Sequence, residues 1–456
     1  MLGKQAGFLS GILTAFISDF FFGMGPWTVW QMIAFGLIGT NMKPIKVGFF
    51  GFGPRGGSYV DQFLMNDAQI VAICEEREDW LEKARKKFGD GAAYYTNPED
   101  LLAHEMDAVF LANNFHEHAP WAIRFLEKGV HVLSECTAAS TMAECVALAR
   151  AAEKSRAIYM LAENYPYMIF NQEMKKVCDS GTLGKFLFAE GEYNHPVSAQ
   201  DAQFTLDYKG YPTHWRNYLP RTYYITHSLA PIMHMTGAMP RRVCGFAAFD
   251  PVKDPNAATG SYVGDRAAVI MTHNDDGSVF RVTGCAAFGA HGNSYRVCGD
   301  RGQIENLRGM GNKIMLRYNS WEVPEGRKSM NCYDAEWAPE LKALVEKAGH
   351  GGSDFMVARE FLSCIREGRQ PDFDVYFATA MSAVAILSHR SVLANGAVYD
   401  VPDFRKEEER APYENDTLTP FPDRDGKADV PCCSVPDFNP LDSQLQAYYE
   451  MIGWKE

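Results

Sequence analysis

Four residues in the middle of the chain have side chains suited to acid–base chemistry. Tyr193 and His195 lie two positions apart, and Tyr224 and His227 lie three apart. Imidazole exchanges protons near neutral pH, a phenol can do so when its pKa is tuned, and aromatic rings stack on the C–H faces of sugars. We therefore predict that these four residues are catalytic. For other tyrosines of the same stretch, core packing is an equal alternative; these are Tyr208, Tyr211 and Tyr218.

A glycine-rich segment near residue 50 has the spacing of a dinucleotide-binding loop. The apolar run Lys46–Phe50 leads directly into Gly51-Phe52-Gly53-Pro54-Arg55-Gly56 and then into a helical pattern. The first glycine permits a tight turn, the second a close approach to the pyrophosphate, and the third close packing of helix on strand. A purely structural turn is the alternative.

An acidic residue stands where a carboxylate would bind the ribose diol of the dinucleotide. Glu75 ends the second strand pattern, 19 residues after Gly56. A carboxylate there favours NAD, because it would repel the 2′-phosphate of NADP. Arg77, two residues further on, keeps NADP open as the less favoured cofactor.

The elements that must position these residues follow two patterns. From Lys46 to Leu161, strand-length apolar runs alternate with amphipathic helices, which predicts a parallel sheet covered on both faces. After Asn164, strand patterns follow one another with turn signals such as Asn274-Asp275-Asp276-Gly277, which predicts an α+β arrangement. We predict a dinucleotide-binding domain at 42–164, a substrate domain at 165–401 and a tail at 402–456 that wraps the surface.

Composition excludes several classes of partner. The net charge of −13 argues against nucleic acid or an anionic membrane surface as the main partner. The 11 scattered cysteines are typical of reduced thiols in a cytoplasmic protein. No histidine spacing predicts a metal site, since His116-Glu117-His118 lacks the i, i+4 separation of zinc ligands on a helix.

The first 41 residues differ from the rest. Two apolar runs, Phe8–Phe22 and Trp27–Ile38, are too short to span a bilayer, and Asp19 interrupts the first. Part of this stretch resembles substrate-binding subunits of energy-coupling-factor vitamin transporters. We interpret residues 1–41 as a mis-called start or a fusion remnant that precedes Met42; the alternative is a real membrane anchor, the only membrane association we envisage.

From Met42 to Phe404 the chain resembles the Gfo/Idh/MocA family of sugar-active oxidoreductases. Its glycine loop looks like G-x-G-x-R-G. The segment Leu111–His118 looks like A-T-P-N-x-x-H, with Asn113-Asn114 replacing Thr-Pro, and Gly129–Thr137 looks like G-K-H-V-x-x-E-K-P. The resemblance implies a Rossmann domain followed by an open, mostly antiparallel sheet, with hydride transfer between a sugar carbinol and NAD(P). It adds Asn113, His118 and Glu135 to the predicted cofactor site, which Asn164 completes.

One departure concerns the family lysine of E-K-P, which is Cys136 in this sequence. We interpret Cys136 as a small filler beside the cofactor, with a nucleophile or redox thiol as alternatives. An enzyme without that lysine needs its acid–base group from elsewhere.

The same pattern resembles the redox glycosidases of glycoside hydrolase family 109. These also lack the lysine, and their Tyr-x-His, Tyr-x-Thr-His and His-Gly-Gly-x-Asp segments match Tyr193–His195, Tyr224–His227 and His350–Asp354. The resemblance implies that C3 of a glycoside is oxidised, the C2 proton is removed, the leaving group departs, water adds and the hydride returns. We assign His227 and Tyr224 to the C3 hydroxyl and ring oxygens, and Tyr193 or His195 to the C2 proton and the leaving group.

Two other functions stay open. A sugar or cyclitol dehydrogenase, or a 3-keto-glycoside-forming oxidoreductase, would use the same cofactor site. A non-catalytic NAD-binding sensor is the second alternative, suggested by Cys136. We expect a homo-oligomer, because the exposed face of an open sheet is a common dimer surface in similar proteins.

Overall fold

The computed structural model describes residues 43–196, 212–423 and 426–455. The predicted N-terminal extension therefore lies outside the described residues, as do Tyr208 and Tyr211. Among the described residues, no helix combines the length and apolar character that crossing a bilayer requires.

The first part of the chain forms a parallel sheet of six strands in the order β3-β2-β1-β4-β5-β6. The strands are β1 Ile45–Phe50, β2 Ala68–Cys74, β3 Ala93–Tyr95, β4 Ala108–Leu111, β5 His131–Ser134 and β6 Tyr159–Leu161. The helices are α1 Pro54–Met65, α2 Glu78–Phe88, α3 Pro98–Ala103, α4 His118–Glu127 and α5 Met142–Lys154. This is the doubly wound Rossmann arrangement that the alternating pattern predicted.

Burial on both faces explains the unbroken apolar runs of these strands. Phe49 on β1 packs edge-on against Phe63 of α1 and Phe110 of β4, each at 5.4 Å between ring centroids. All three rings are fully buried. The sequence pattern did not predict β3 or α3, which are only 3 and 6 residues long.

The second part is a nine-stranded sheet in the order β14-β13-β12-β11-β7-β10-β9-β8-β15. Its neighbours pair antiparallel except β7 with β10. The strands are β7 Phe186–Asn194, β8 Pro240–Phe249, β9 Asp265–Asn274, β10 Val279–Thr283, β11 Gly292–Gly299, β12 Gly302–Asn306, β13 Lys313–Tyr318, β14 Met330–Asp334 and β15 Tyr399–Asp400. The predicted fold class, a Rossmann sheet followed by an open, mostly antiparallel α+β sheet, is confirmed.

Helices flank this sheet and continue into the C-terminal region. They are α6 Ile169–Asp179, α7 Thr226–Thr236, α8 Pro339–Val345, α9 Ser353–Glu367, α10 Val375–Leu393, α11 Glu407–Arg410 and α12 Asp442–Ile452. Helix α7 packs on β7 and α6, α10 packs on β8, and α9 crosses to α1 of the first sheet. This last contact places the first turn of α9 beside the glycine loop.

The opposite face of the second sheet is open. On β9 the side chains alternate, with Val269 and Met271 exposed and Ile270 buried. Phe246 of β8, which pairs with Val269, is 64% exposed. An apolar exposed face of this kind is suited to a subunit interface, and we propose it as the surface of the expected homo-oligomer.

Candidate active site and cofactor cradle

Most of the predicted cofactor residues lie at one edge of the first sheet. Gly51 follows β1, Glu75 follows β2, Asn113 lies two residues after β4, and Glu135 follows β5. Asn164 lies three residues after β6. The carboxyl ends of parallel strands share one edge, so the topology gathers these residues into one crevice.

The glycine loop has the close packing that the motif demands. Gly51 has φ of +91°, and a Cβ there would lie 2.3 Å from the carbonyl oxygen of Ala112. A Cβ at Gly56 would lie 2.0 Å from the carbonyl oxygen of Gly51, so helix α1 can approach β1 only through glycine. At Gly53 an added Cβ would meet no protein atom within 4 Å. The second glycine therefore faces open space, where a pyrophosphate can approach the N-terminus of α1.

Glu75 is bound to the glycine loop by backbone hydrogen bonds. Its carboxylate accepts from the N–H of Phe52 at 2.7 Å and of Arg77 at 2.9 Å. Burial raises the pKa of Glu75 despite these two donors. The ring of Phe52 packs against Phe88 of α2. Glu75 thus fixes the loop and retains lone pairs for a ribose diol.

Arg55, the arginine of the G-x-G-x-R-G loop, is held by two carboxylates. It donates to Glu135 at 2.6 Å through Nε and to Asp354 at 3.1 Å through one terminal nitrogen. The side-chain amide of Asn164 also donates to Asp354, at 2.8 Å. Asp354 lies in the first turn of α9, so the network connects this helix with the glycine loop and with the segment after β6.

Asp354 is charged despite its burial. Burial alone raises the pKa of its carboxyl, but the Arg55 guanidinium and the hydrogen bond from His350 outweigh it and hold the pKa well below the ordinary value. His350 contacts Asp354 at 2.8 Å. A buried carboxylate with permanently charged and hydrogen-bonding partners is a fixed structural charge.

Buried polar atoms in the same crevice fit a bound dinucleotide. Both side-chain polar atoms of Asn113, Nε2 of His118 and Oδ1 of Asn164 are buried with no hydrogen-bond partner among the described residues. The other ring nitrogen of His118 contacts the carbonyl of Thr137 at 2.8 Å. Burial lowers the pKa of His118, which favours the neutral ring. Because unpaired buried polar groups are costly, these atoms are suited to a polar ligand such as NAD.

A hydrogen-bonded chain runs from Glu163 through His227 to Tyr224. Nδ1 of His227 contacts the Glu163 carboxylate at 2.8 Å, and Nε2 of His227 contacts the Tyr224 hydroxyl at 2.8 Å. A carboxylate accepts only, so Nδ1 carries a proton and Nε2 of the neutral ring accepts from Tyr224. This is the carboxylate–imidazole–hydroxyl order of a proton relay.

Burial and charge act in opposite directions on this chain. Burial alone raises the pKa of Glu163, but the close contact with His227 and the hydrogen bonds from His227 and Cys136 lower it below its ordinary value. Burial raises the pKa of Tyr224 well above its ordinary value. Glu163 is therefore an anion that holds the histidine, and Tyr224 keeps its proton until a base can take it.

Close packing brings the second predicted pair to the same place. A Cβ at Gly191 of β7 would lie 1.9 Å from the carbonyl oxygen of Ser228 in the first turn of α7, so the helix start lies directly on the strand. Tyr193 is consequently 4.9 Å from His227 between ring centroids. His195 lies 5.7 Å from Tyr193. The structure thus brings all four predicted catalytic residues into one cluster.

Cys136 touches the relay. Its thiol donates to Glu163 at 3.1 Å, and its backbone N–H donates to Glu135 at 3.2 Å. Burial raises the pKa of Cys136 well above its ordinary value. A neutral, buried thiol is a poor nucleophile, and Cys136 lies between the cofactor crevice and the catalytic cluster.

Glu163 and Asp354 are the site residues that sequence reasoning did not assign. Glu163 directly precedes the assigned Asn164 at the carboxyl end of β6, and this position was the available signal. Asp354 closes the matched His-Gly-Gly-x-Asp segment but received no role.

Comparisons with known proteins match both parts of the chain. Residues 45–163 match the model of the oxidoreductase family with an NAD-binding Rossmann fold. Residues 246–410 match the model of the glycosyl hydrolase 109 C-terminal domain. The chain is therefore an NAD-binding enzyme of the oxidoreductase class, similar to the Gfo/Idh/MocA family in residues 45–163 and to the glycosyl hydrolase 109 C-terminal domain in residues 246–410, as the sequence motifs predicted.

Within that class, the curated relatives are similar to this chain along most of its length. Glycosyl hydrolase family 109 proteins from Shewanella sp. (strain W3-18-1) and Shewanella baltica (strain OS155) are each 26% identical over 403 residues, covering 81% of this chain and 87% of the relative.

Solved structures share the fold. Levoglucosan dehydrogenase in complex with NADH and levoglucosan has a TM-score of 0.66 at 19% identity, covering 79% of this chain and 100% of that one. An oxidoreductase from Agrobacterium radiobacter in complex with NAD+, L-tartaric acid and magnesium has a TM-score of 0.62 at 16% identity, covering 78% and 98%.

Proposed function

We propose that this protein is a redox glycosidase, in which NAD is reduced and reoxidised within one turnover. The observation that carries the proposal is the Glu163–His227–Tyr224 chain beside Cys136. It provides an acid–base group where the family lysine is absent. The similarity of residues 246–410 to the glycosyl hydrolase 109 C-terminal domain supports the same function.

The residues of the crevice define how the cofactor would be held. Gly51, Gly53 and the start of α1 would receive the pyrophosphate, Glu75 the ribose diol, and Asn113 and His118 further polar atoms of the dinucleotide. When bound, NAD supplies the acceptor and donor of one hydride at a sugar carbon.

Tyr224 and His227 would act on the carbon that is oxidised. Tyr224 takes the C3 hydroxyl proton as the C3 hydride leaves, and passes its own proton to Nε2 of His227. Glu163 stabilises the resulting imidazolium through Nδ1. The C3 ketone then acidifies the proton on C2.

Tyr193 or His195 would carry the elimination. One of them removes the C2 proton as the C1–O bond breaks, and a proton is delivered to the departing oxygen. Water then adds its hydroxyl to C1 and a proton returns to C2. The hydride returns to C3 as the imidazolium proton returns through Tyr224, so the net change is hydrolysis with no net oxidation.

A simple sugar dehydrogenase is the second candidate. The same relay can take the proton of a carbinol that loses hydride, and the fold similarity to levoglucosan dehydrogenase favours this reading. It would require neither Tyr193 nor His195 as a base at C2.

One assay separates the two. Purified protein with catalytic NAD is incubated with nitrophenyl glycosides of both anomeric configurations. Phenol release without net NADH supports the glycosidase, and stoichiometric NADH with a free sugar supports the dehydrogenase. Tight NAD binding with neither product, and with no exchange of C2 hydrogen into deuterated water, would instead support a sensor.

A further inference from the structure

A cavity beside Tyr224 and His195 is lined on one side by the C-terminal segment, defined here as residues 430–455. Its volume is about 250 Å³. The segment contributes five lining residues: Phe438, Pro440, Gln444, Tyr448 and Met451. The cavity is thus continuous with the catalytic cluster and extends away from Glu163 and the cofactor crevice.

The C-terminal segment is anchored as a fixed wall. The Asn217 amide donates to the Tyr448 hydroxyl at 3.0 Å, and the Tyr448 ring lies so close to Gly260 that a Cβ there would come within 2.4 Å. Gln444 donates to the carbonyls of Val252 and Asp254 at 3.0 and 2.8 Å. A wall held at several points keeps its shape when a ligand enters.

Further anchors hold the stretch that precedes α12. The carboxylate of Asp265 accepts from the backbone N–H of Ser434 at 2.8 Å. The ring of Phe438 packs edge-on against Phe249 at 5.4 Å. The segment therefore follows the end of the second sheet from β9 to the cavity.

The wall that the segment presents is mostly apolar. Phe438, Pro440 and Met451 offer aromatic, ring and thioether surface, and Leu219 and Pro220 line the same cavity. Three arginines also line the cavity, and two of them use Nε to donate to backbone carbonyls, Arg221 to that of Asp265 and Arg266 to that of Asp250. Burial of apolar ligand surface against such a wall is favourable.

We propose that the C-terminal segment is a specificity-determining wall that binds an apolar, aromatic group of the substrate. The inference rests on the proposed function, because it places the sugar at Tyr193 and Tyr224 and its aglycone in the cavity. Neither family model reaches this segment, since the matches end at residue 410. The wall is therefore a feature of this chain that those matches do not describe.

The test compares binding of matched pairs of methyl and phenyl glycosides, each pair with the same sugar and anomer. Affinities are measured by calorimetry on the full-length, NAD-loaded protein, for the wild type, Met451→Ala and Phe438→Ala. Met310→Ala, which removes a methionine side chain that is 54% exposed and outside the cavity lining, is the matched control.

For at least one pair, we expect the phenyl glycoside to bind the wild type about tenfold more tightly than the methyl glycoside. This advantage should fall about fivefold in Met451→Ala and in Phe438→Ala, with methyl glycoside binding and Met310→Ala unchanged. Equal affinities for every pair, no binding of any glycoside, or an advantage unchanged in both wall variants would overturn the proposal. A variant that loses affinity for both members of the pair and for NAD is misfolded, and the other wall variant then decides.

Turnover is measured on the same samples. Tighter binding of the phenyl glycoside without phenol release would contradict the proposed glycosidase function but would still support the apolar wall. Phenol release with equal affinities would contradict the wall alone.

Discussion

Two buried carboxylates, Glu163 and Asp354, lie in neighbouring networks and differ in their partners. Asn164, the residue after Glu163, donates to Asp354, so consecutive residues reach the two networks. Asp354 faces the guanidinium of Arg55 in addition to His350, whereas Glu163 faces the imidazole of His227. Both pKa values are lowered despite burial.

The difference lies in what the partner can do. A guanidinium stays charged at all accessible pH values, so Arg55–Asp354 can only position the glycine loop against α9. An imidazole exchanges protons, so Glu163–His227 can store a proton taken from Tyr224. We infer that the first pair serves folding and cofactor binding, and that the second serves the reaction.

The largest expected effect is on turnover. Glu163→Gln keeps the size of the side chain but removes the charge that stabilises a protonated His227, so kcat should fall at least about a hundredfold. The free energy of unfolding and the affinity for NAD should change much less. Steady-state kinetics with a nitrophenyl glycoside that the wild type hydrolyses measure kcat, and a urea titration measures the free energy of unfolding. A kcat within threefold of the wild type would refute the relay.

The corresponding change in the other pair, Asp354→Asn, should lower the stability of the folded protein. It leaves Arg55, whose side chain is 32% exposed, with Glu135 as its remaining carboxylate partner, so we expect a loss of about 2 kcal/mol in the free energy of unfolding. Asp79→Asn, which breaks the more exposed pair with Arg77, is the control and should cost less than about 1 kcal/mol. Equal losses in the two variants would show that burial adds nothing to the Asp354 pair.

The contribution of the Arg55–Asp354 pair to the free energy of unfolding should also depend on pH. Because the folded-state pKa of Asp354 lies below the unfolded value of about 3.9, its contribution is present above pH 4 and is lost as the pH falls below that value. The free energy of unfolding of the wild type should therefore fall on acidification from pH 5 to pH 3. The slope should be shallower in Asp354→Asn, and identical slopes would contradict a depressed pKa at Asp354.

Glu75 is a third buried carboxylate. Burial raises its pKa, and its two backbone N–H donors offset only part of that rise. Glu75→Ala should weaken NAD binding about tenfold and leave NADP binding equal or tighter, since the repulsion of a 2′-phosphate is removed. Fluorescence titrations with both cofactors measure the ratio. Equal loss of affinity for both would place Glu75 outside the ribose site.

The grouping of the predicted cofactor residues follows from the sequence pattern, whereas the grouping of the predicted catalytic residues does not. The glycine loop and Glu75 follow strands in a regular order, so their meeting at one sheet edge follows from topology. The joining of Tyr193 to His227 depends on the contact of Gly191 with Ser228, two residues that are distant in sequence. Tertiary packing of this kind has no local pattern.

The residues and elements that the sequence did not predict also depend on tertiary packing or are too short to show a pattern. Asp354 reaches Arg55 only because α9 packs on α1, a contact between elements about 300 residues apart. The short strand β3 and helix α3 carry too few residues for a periodic pattern. The predicted boundaries at 42–164 and 165–401 remain predictions, and residues 1–41 lie outside the described structure.

The central claim is that the hydride returns to the sugar that supplied it. The most direct measurement incubates the enzyme, substoichiometric NAD and a nitrophenyl glycoside in deuterated water, and follows phenol, NADH and deuterium at C2 together. The account predicts many phenol molecules per NAD, no accumulation of NADH, and one deuterium at C2 of the released sugar. NADH formed in step with an oxidised sugar, or phenol release with no deuterium at C2, would contradict it.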